Sequence, residues 1–182
     1  MQLTQTKDEP TLVRLAQTDT QAFGALYDLY VQRVYRYCYY RTSSATEAED
    51  LTAQIFLAAL EGMPHYRQDG RFAGWLFAIA RKKVADYHRR RPHAAQSLEE
   101  VNLPPIQTDL AMEVETSQRR ERLRQLLQAL AEEERELIHL RYVAELSFAE
   151  IANILHKKEE AVKKTLYRLI ARLKSRLEAD YD

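Results

Sequence analysis

Apolar residues return every third or fourth position through most of this chain, a spacing that only helices with one buried stripe can use. From Thr20 to Arg41 the stripe is Phe23, Leu26, Tyr27, Tyr30, Val34 and Cys38. Pro10 to Gln17 reads as a shorter helix before it. Ser44-Ala45-Thr46-Glu47 is a capping box, so a further helix should run to about Glu61, where Gly62 and Pro64 end it. A polar loop, Arg67-Gln68-Asp69-Gly70-Arg71, leads into a helix from Phe72 to about Arg91, stopped by Pro92. Periodicity then vanishes, and Pro104-Pro105 blocks helix. It resumes over Gln118 to Leu130, with Leu123, Leu126, Leu127 and Leu130 on one face, and over Glu132 to about Val143. A second capping box, Ser147-Phe148-Ala149-Glu150, opens a helix through Leu155, and the last helix spans Glu159 to about Leu177. With four Gly and five Pro in 182 residues, a β-rich fold with many tight turns is excluded. The expectation is an all-α chain of two small helical domains, 1–91 and 117–182, joined by a flexible acidic linker, 92–116, without internal repeats.

The formal net charge of zero hides a segregation. The stretches Arg81 to Arg91 and Lys157 to Arg176 hold 14 of the 27 Lys and Arg but only three of the 27 Asp and Glu. Pro92 to Gln118 has no Lys or Arg and carries Glu99, Glu100, Asp109, Glu113 and Glu115. Two basic faces joined by an acidic connector point to a polyanion gripped at two places. One cysteine, Cys38, excludes an intrachain disulfide, and the N-terminus lacks the apolar core of a signal peptide. The longest stretches without charge are about half of the ~20 residues a bilayer crossing needs. A cytoplasmic protein with no membrane partner is therefore expected.

Two short helices joined by a three- or four-residue turn, as in the last two, have helix-turn-helix geometry. In the final helix Val162, Leu166, Leu169, Leu173 and Leu177 share the core face. The opposite face shows Glu160, Lys164, Tyr167, Arg168 and Ala171, flanked by Lys163, Arg172 and Lys174. Such cations reach phosphates and guanine edges in the major groove. The turn His156-Lys157-Lys158 lacks the glycine often found there. In the helix after Phe72, the residues Leu76, Ala80, Val84 and Tyr87 form the apolar face. Lys82, Asp86 and Arg89 point outward, with Arg81 and Arg90 alongside, as a second phosphate-facing surface. Tyr66, Phe72 and Trp75 could stack on an unpaired base, although spacing favours packing for Trp75. There is no Gly-rich phosphate loop, and the five histidines form no metal-binding pattern. No catalytic residue, metal or cofactor is expected, so the chain should not be an enzyme. Tyr37, Tyr39 and Tyr40 around Cys38 should fill a helix interface.

In this order the parts resemble an RNA polymerase sigma factor of the sigma-70 family, in its extracytoplasmic-function subgroup. The resemblance covers Thr11 to Arg91 and Arg119 to Leu177. It is carried by AFGALYDLYVQRVYRY at Ala22 to Tyr37, AEDLTAQIFLAAL at Ala48 to Leu60, FAGWLFAIARKKVADYHRRR at Phe72 to Arg91, and LSFAEIANIL with AVKKTLYRLIARLKSRL at Leu146 to Leu155 and Ala161 to Leu177. It implies a transcription initiation factor whose partners are core RNA polymerase and promoter DNA. Asp50, Leu51, Gln54 and Phe56 would bind core polymerase. Arg67, Asp69, Gly70 and Arg71 in the loop, with Arg81, Lys82, Asp86, Arg89 and Arg90 on the following helix, would engage the minus-10 element and capture an unstacked base. Lys163, Lys164, Tyr167, Arg168 and Arg172 would read the minus-35 element. The linker would thread the polymerase near its active-site and RNA-exit path. The family often pairs with an anti-sigma factor; no residue here identifies one.

Gln54 and Ala53 stand where the family commonly has glutamate and glutamine, Lys82 replaces a frequent asparagine, and Ala161 and Thr165 replace a common hydroxyl residue and arginine. Promoter sequence cannot be copied from relatives. Two other readings stay open: an autonomous helix-turn-helix regulator binding a palindrome as a dimer, and a helical adaptor whose basic faces only solvate. In the sigma reading, domains docked on each other in the free protein would hide both DNA faces.

Overall fold

The computed structural model describes residues 8–67, 71–90 and 120–179, all helical or in short turns between helices. The linker 92–116 and the loop residues Asp69 and Gly70 lie outside the described residues. The first unit comprises α1 (Glu9–Ala16), α2 (Thr20–Thr42), α3 (Ala45–Gly62) and α4 (Phe72–Arg90). The second comprises α5 (residues 120–128), α6 (Glu132–Ile138), α7 (Phe148–Leu155) and α8 (Glu159–Glu178).

Helix starts follow local chemistry. The Asp19 carboxylate accepts from the Gln21 amide at 2.8 Å, and Pro10 lies in the first turn of α1, where a missing N–H is harmless. Ser44 accepts from the Glu47 amide, and at Ser147 the box is reciprocal: Ser147 Oγ accepts from the Glu150 amide, and the Ser147 amide donates to Glu150 Oε2 at 2.8 Å. Between α7 and α8 His156 takes the left-handed conformation, φ 53°, that the absent glycine would have supplied. Histidine is one of the few other residue types often found there. The α6 helix ends in a π-turn over His139–Val143, whose Ala144 amide donates to the His139 carbonyl at 2.9 Å.

In the first unit α2, α3 and α4 pack around Leu26, Val34, Tyr37, Ile55, Leu76, Phe77, Ala80 and Val84, all at most 1% exposed. Leu140, Leu146, Ile151 and Leu166 play the same part in the second unit, and both belong to one continuous apolar cluster. Tyr87, placed on the apolar face of α4 by spacing, is only half-buried, and Leu123 is 40% exposed at the mouth of a groove between the units. Trp75 tilts against Tyr66 and Phe72 with ring centroids 4.8 and 5.7 Å apart, half-buried.

The two units touch directly. A Cβ on Gly74 of α4 would lie 3.2 Å from Glu150 Cγ of α7, so only glycine permits this approach without displacement. Arg33 of α2 donates twice to the Ala144 carbonyl, from Nε at 3.1 Å and from Nη2, and its guanidinium lies 5.0 Å from the Tyr30 ring centroid.

Candidate nucleic-acid interfaces and the contact between the two units

Each candidate reading surface is a helix face left outside the core. On α8, Val162, Leu166, Leu169 and Leu173 are buried, which turns Lys164, Tyr167 and Arg168 outward, with Tyr167 63% exposed. Neither Lys164 nor Arg168 has a carboxylate partner among the described residues. The other two candidates are engaged. Arg172 donates to Glu134 Oε2 of α6 at 2.7 Å, and Lys163 sits 2.9 Å from Glu159, whose hydrogen bond and charge raise the lysine pKa. Spacing places all five on or beside one face; contact across 38 residues of sequence separates Arg172 from the rest.

On α4, Arg81, Lys82, Arg89 and Arg90 are exposed, and Arg89 pairs with Asp86 at 2.8 Å. A pocket of about 500 Å³ brings Arg67 and Arg71 together with Tyr66, Gly74 and Trp75 of the first unit and Glu150, Asn153 and Ile154 of the second. A groove of about 1450 Å³ likewise lies between α4 and the second unit, with Arg81, Lys82 and His88 on its wall. In this arrangement the face expected to meet the minus-10 element looks onto the second unit.

On α3 the side chains of Leu51 and Phe56 are buried, at 4% and 5%, Phe56 lying edge-on to Tyr27 at 4.7 Å. They support the surface from behind. Asp50 and Gln54 are exposed, and so are two residues that the sequence reading passed over, Leu57 at 57% and Leu60 at 37%. Their signal was available: Leu57 follows Asp50 by seven residues and Gln54 by three, so the outward face of α3 carries an apolar group between polar ones.

Between the units lies a buried polar cluster. The Tyr37 hydroxyl donates to Glu136 Oε1 at 2.8 Å, and Arg41 reaches Glu136 Oε2 at 3.4 Å and also pairs with Glu132. Arg81 approaches Glu136 Oε1 at 3.7 Å. Burial and the Glu136 charge hold the Tyr37 pKa well above its ordinary value. Cys38 beside it is buried and pushed up to about 12 by desolvation, an inert thiol. His139 packs 5.8 Å from the Tyr40 ring, and burial, then the charges of Arg41 and Arg135, push it down to about 4 against an opposing pull from Glu132. Desolvation and Arg41 also lower His88.

That cluster predicts acid sensitivity. The unfolded chain protonates His139 near its ordinary 6.5, whereas the folded chain resists until about pH 4. The resulting stability is full above pH 6.5 and declines as pH falls toward 4, by about 3 kcal/mol from this residue. Denaturant titrations across that window should show the decline, and His139→Gln should flatten it; an unchanged slope in the variant would assign the acid sensitivity to other groups.

Among the described residues, an all-helical chain with a helix-turn-helix unit and a basic helix face on each unit defines the class of a two-part nucleic-acid-binding protein. Residues 26–93 match sigma-70 region 2 and residues 120–173 match sigma-70 region 4. The chain is 36% identical to the ECF RNA polymerase sigma factor BldN of Streptomyces coelicolor over 89% of its own length and 63% of the length of BldN. It is 34% identical to the ECF sigma factor SigD of Mycobacterium tuberculosis, over 82% of this chain and 74% of SigD. Its fold resembles CnrH bound to the cytosolic domain of CnrY, with TM-score 0.69 and 23% identity over 96% and 99% of the two chains. It also resembles the sigma factor RpoE bound to the anti-sigma factor NepR of Bartonella quintana, with TM-score 0.66 and 21% identity over 88% and 99%. The chain belongs to the sigma-70 family, among its extracytoplasmic-function members, and spans under two thirds of the length of BldN. No described helix is long and apolar enough to cross a membrane.

Proposed function

We propose that this chain directs RNA polymerase to promoters by reading two DNA elements with separate surfaces, α8 on the minus-35 element and the Arg67–Arg71 loop with the outer face of α4 on the minus-10 element. The observation that carries the reading is the outward face of α8, where Lys164 and Arg168 stand without carboxylate partners among the described residues beside an exposed Tyr167. Guanidinium and ammonium groups so placed suit guanine edges and phosphates. Arg67, Arg71, Arg81, Lys82, Arg89 and Arg90 would neutralise phosphates around the opened minus-10 strand, with Asp69, Gly70 and Asp86 shaping the base site. Holding an extruded base offsets part of the stacking lost on opening. Arg172 and Lys163, tied to carboxylates, take supporting positions in this scheme. Asp50, Gln54 and Leu57 would face core polymerase, with Leu51 and Phe56 beneath them. The functional units are 1–91 and 117–182 with the linker 92–116 between them, working in the cytoplasm.

In the docked arrangement the minus-10 face and the second unit occupy each other, and we take it as the resting form that polymerase opens. Because the relative RpoE is held by an anti-sigma factor, NepR, a protein of that kind is the natural candidate to stabilise the resting form here.

The test is transcription with purified core polymerase and a promoter-fragment library, with transcript starts sequenced. Starts that need both proteins and lie downstream of two shared elements at fixed spacing are expected. Arg168→Ala should cost about 1–3 kcal/mol, roughly 5- to 150-fold, through loss of a base contact. Arg172→Ala should leave base preference unchanged. Absence of starts, together with a palindromic duplex shifted by the protein alone, would replace this reading with an autonomous regulator.

A further inference from the structure

Phe148 opens α7; unlike the helix's buried residues Ile151, Ala152 and Ile154 it is half-buried, packing against the edge of the apolar core while three further side chains meet its ring. The Tyr167 ring meets it edge-on with centroids 5.9 Å apart at 61°. Lys163 Nζ lies 5.7 Å from its centroid, and the Arg141 guanidinium 4.8 Å. Arg141 also donates to the Leu146 carbonyl at 2.7 Å, fixing the turn from which Phe148 projects. One aromatic ring therefore touches two residues of the reading helix and is itself pinned by a third side chain anchored to backbone. Cations and aromatic edges are both drawn to the electron-rich face of such a ring.

We propose that Phe148 is a positioning residue for promoter reading: its ring holds Tyr167 in the orientation in which it meets the minus-35 element, with Lys163 packed against the same ring in support. This rests on the reading of α8 given above. An exposed tyrosine on a helix otherwise exchanges between staggered rotamers, and that freedom must be given up on binding DNA. A neighbouring ring that selects one rotamer beforehand removes the cost and narrows the bases the tyrosine can accept. A Leu at 148 would keep the apolar volume and lose the ring.

The experiment compares the full chain with Phe148→Leu, Phe148→Tyr, Tyr167→Ala and the Phe148→Leu/Tyr167→Ala double variant. Each is assayed by transcription with core polymerase on two promoter libraries, one randomised in the minus-35 element and one in the minus-10 element, and by thermal unfolding. Phe148→Leu is expected to lower output from the preferred promoter about 2- to 10-fold, the range of one aromatic contact. It should flatten preference at the same minus-35 positions as Tyr167→Ala and leave minus-10 preference and the unfolding midpoint unchanged. The double variant should lose no more than Tyr167→Ala, and Phe148→Tyr should restore preference. If Tyr167→Ala flattens the minus-35 profile and Phe148→Leu does not, or if Phe148→Leu lowers all promoters equally with a fallen midpoint, the positioning role is overturned while the α8 reading stands. If neither Tyr167→Ala nor Arg168→Ala alters the minus-35 profile, the α8 reading fails and takes this inference with it.

Discussion

Glu136→Ala is expected to separate the two helical units. Glu136 is 6% exposed, accepts the Tyr37 hydroxyl and faces Arg41, whose side chain is 11% exposed. Removing the carboxylate leaves a buried tyrosine hydroxyl without its acceptor and a guanidinium with only Glu132 to compensate it. Breaking one side of a buried ion pair costs about 3–5 kcal/mol, and the lower figure alone changes the ratio of open to docked molecules by about 100-fold. Dyes placed on α3 and α8 should report the change as a loss of energy transfer. Glu133→Ala removes a carboxylate whose side chain is 88% exposed and should change little. If polymerase binds only the open form, Glu136→Ala should also tighten binding to core polymerase by up to the same factor. Energy transfer equal to that of the unaltered chain would show that this cluster does not hold the units together.

Phe77→Ala carries the second large effect, on stability. Phe77 is fully buried, meets Tyr37 edge-on at 5.6 Å and 89°, and has the Arg33 guanidinium 5.8 Å from its centroid. It thus supports both the core of the first unit and two of the α2 residues that contact the second, Tyr37 and Arg33. Truncating a buried phenylalanine costs about 3–5 kcal/mol, a large part of the ~5–15 kcal/mol that a folded chain has. The unfolding midpoint should fall by roughly 10 °C or more. Leu29→Ala, at a residue 54% exposed, should leave it nearly unchanged. A Phe77→Ala midpoint within a degree or two of the original would mean that the site collapses around the cavity.

On the proposed reading, the docked arrangement would serve as a resting form. Two weak surfaces on one chain would become effective only when polymerase holds them at the spacing of the two promoter elements. Covering the α4 face with the second unit in the meantime would raise the threshold further, while the α8 face stays outward; the close approach at Gly74 and the Tyr37 to Glu136 contact join the two units.

Most of the helical layout was legible because its signals are local. The stripe Val162, Leu166, Leu169 and Leu173 sets which face of α8 is buried, and Ser147 with Glu150 sets where α7 begins; both need only residues three or four apart. By the same logic the two basic faces, and Lys164 with Arg168 on the outside, followed from the sequence. The tertiary structure decided matters that depend on residues far apart in the chain. Arg172, one turn beyond Arg168, is paired with Glu134, 38 residues away, a contact no local spacing shows. Leu51 and Phe56 carry the right motif yet lie inside the core, while Leu57 reaches solvent. The largest difference is at Tyr37, whose partner Glu136 is 99 residues distant. Periodicity records which face of a helix avoids water, but which second helix covers that face depends on packing in three dimensions, and no local spacing encodes it.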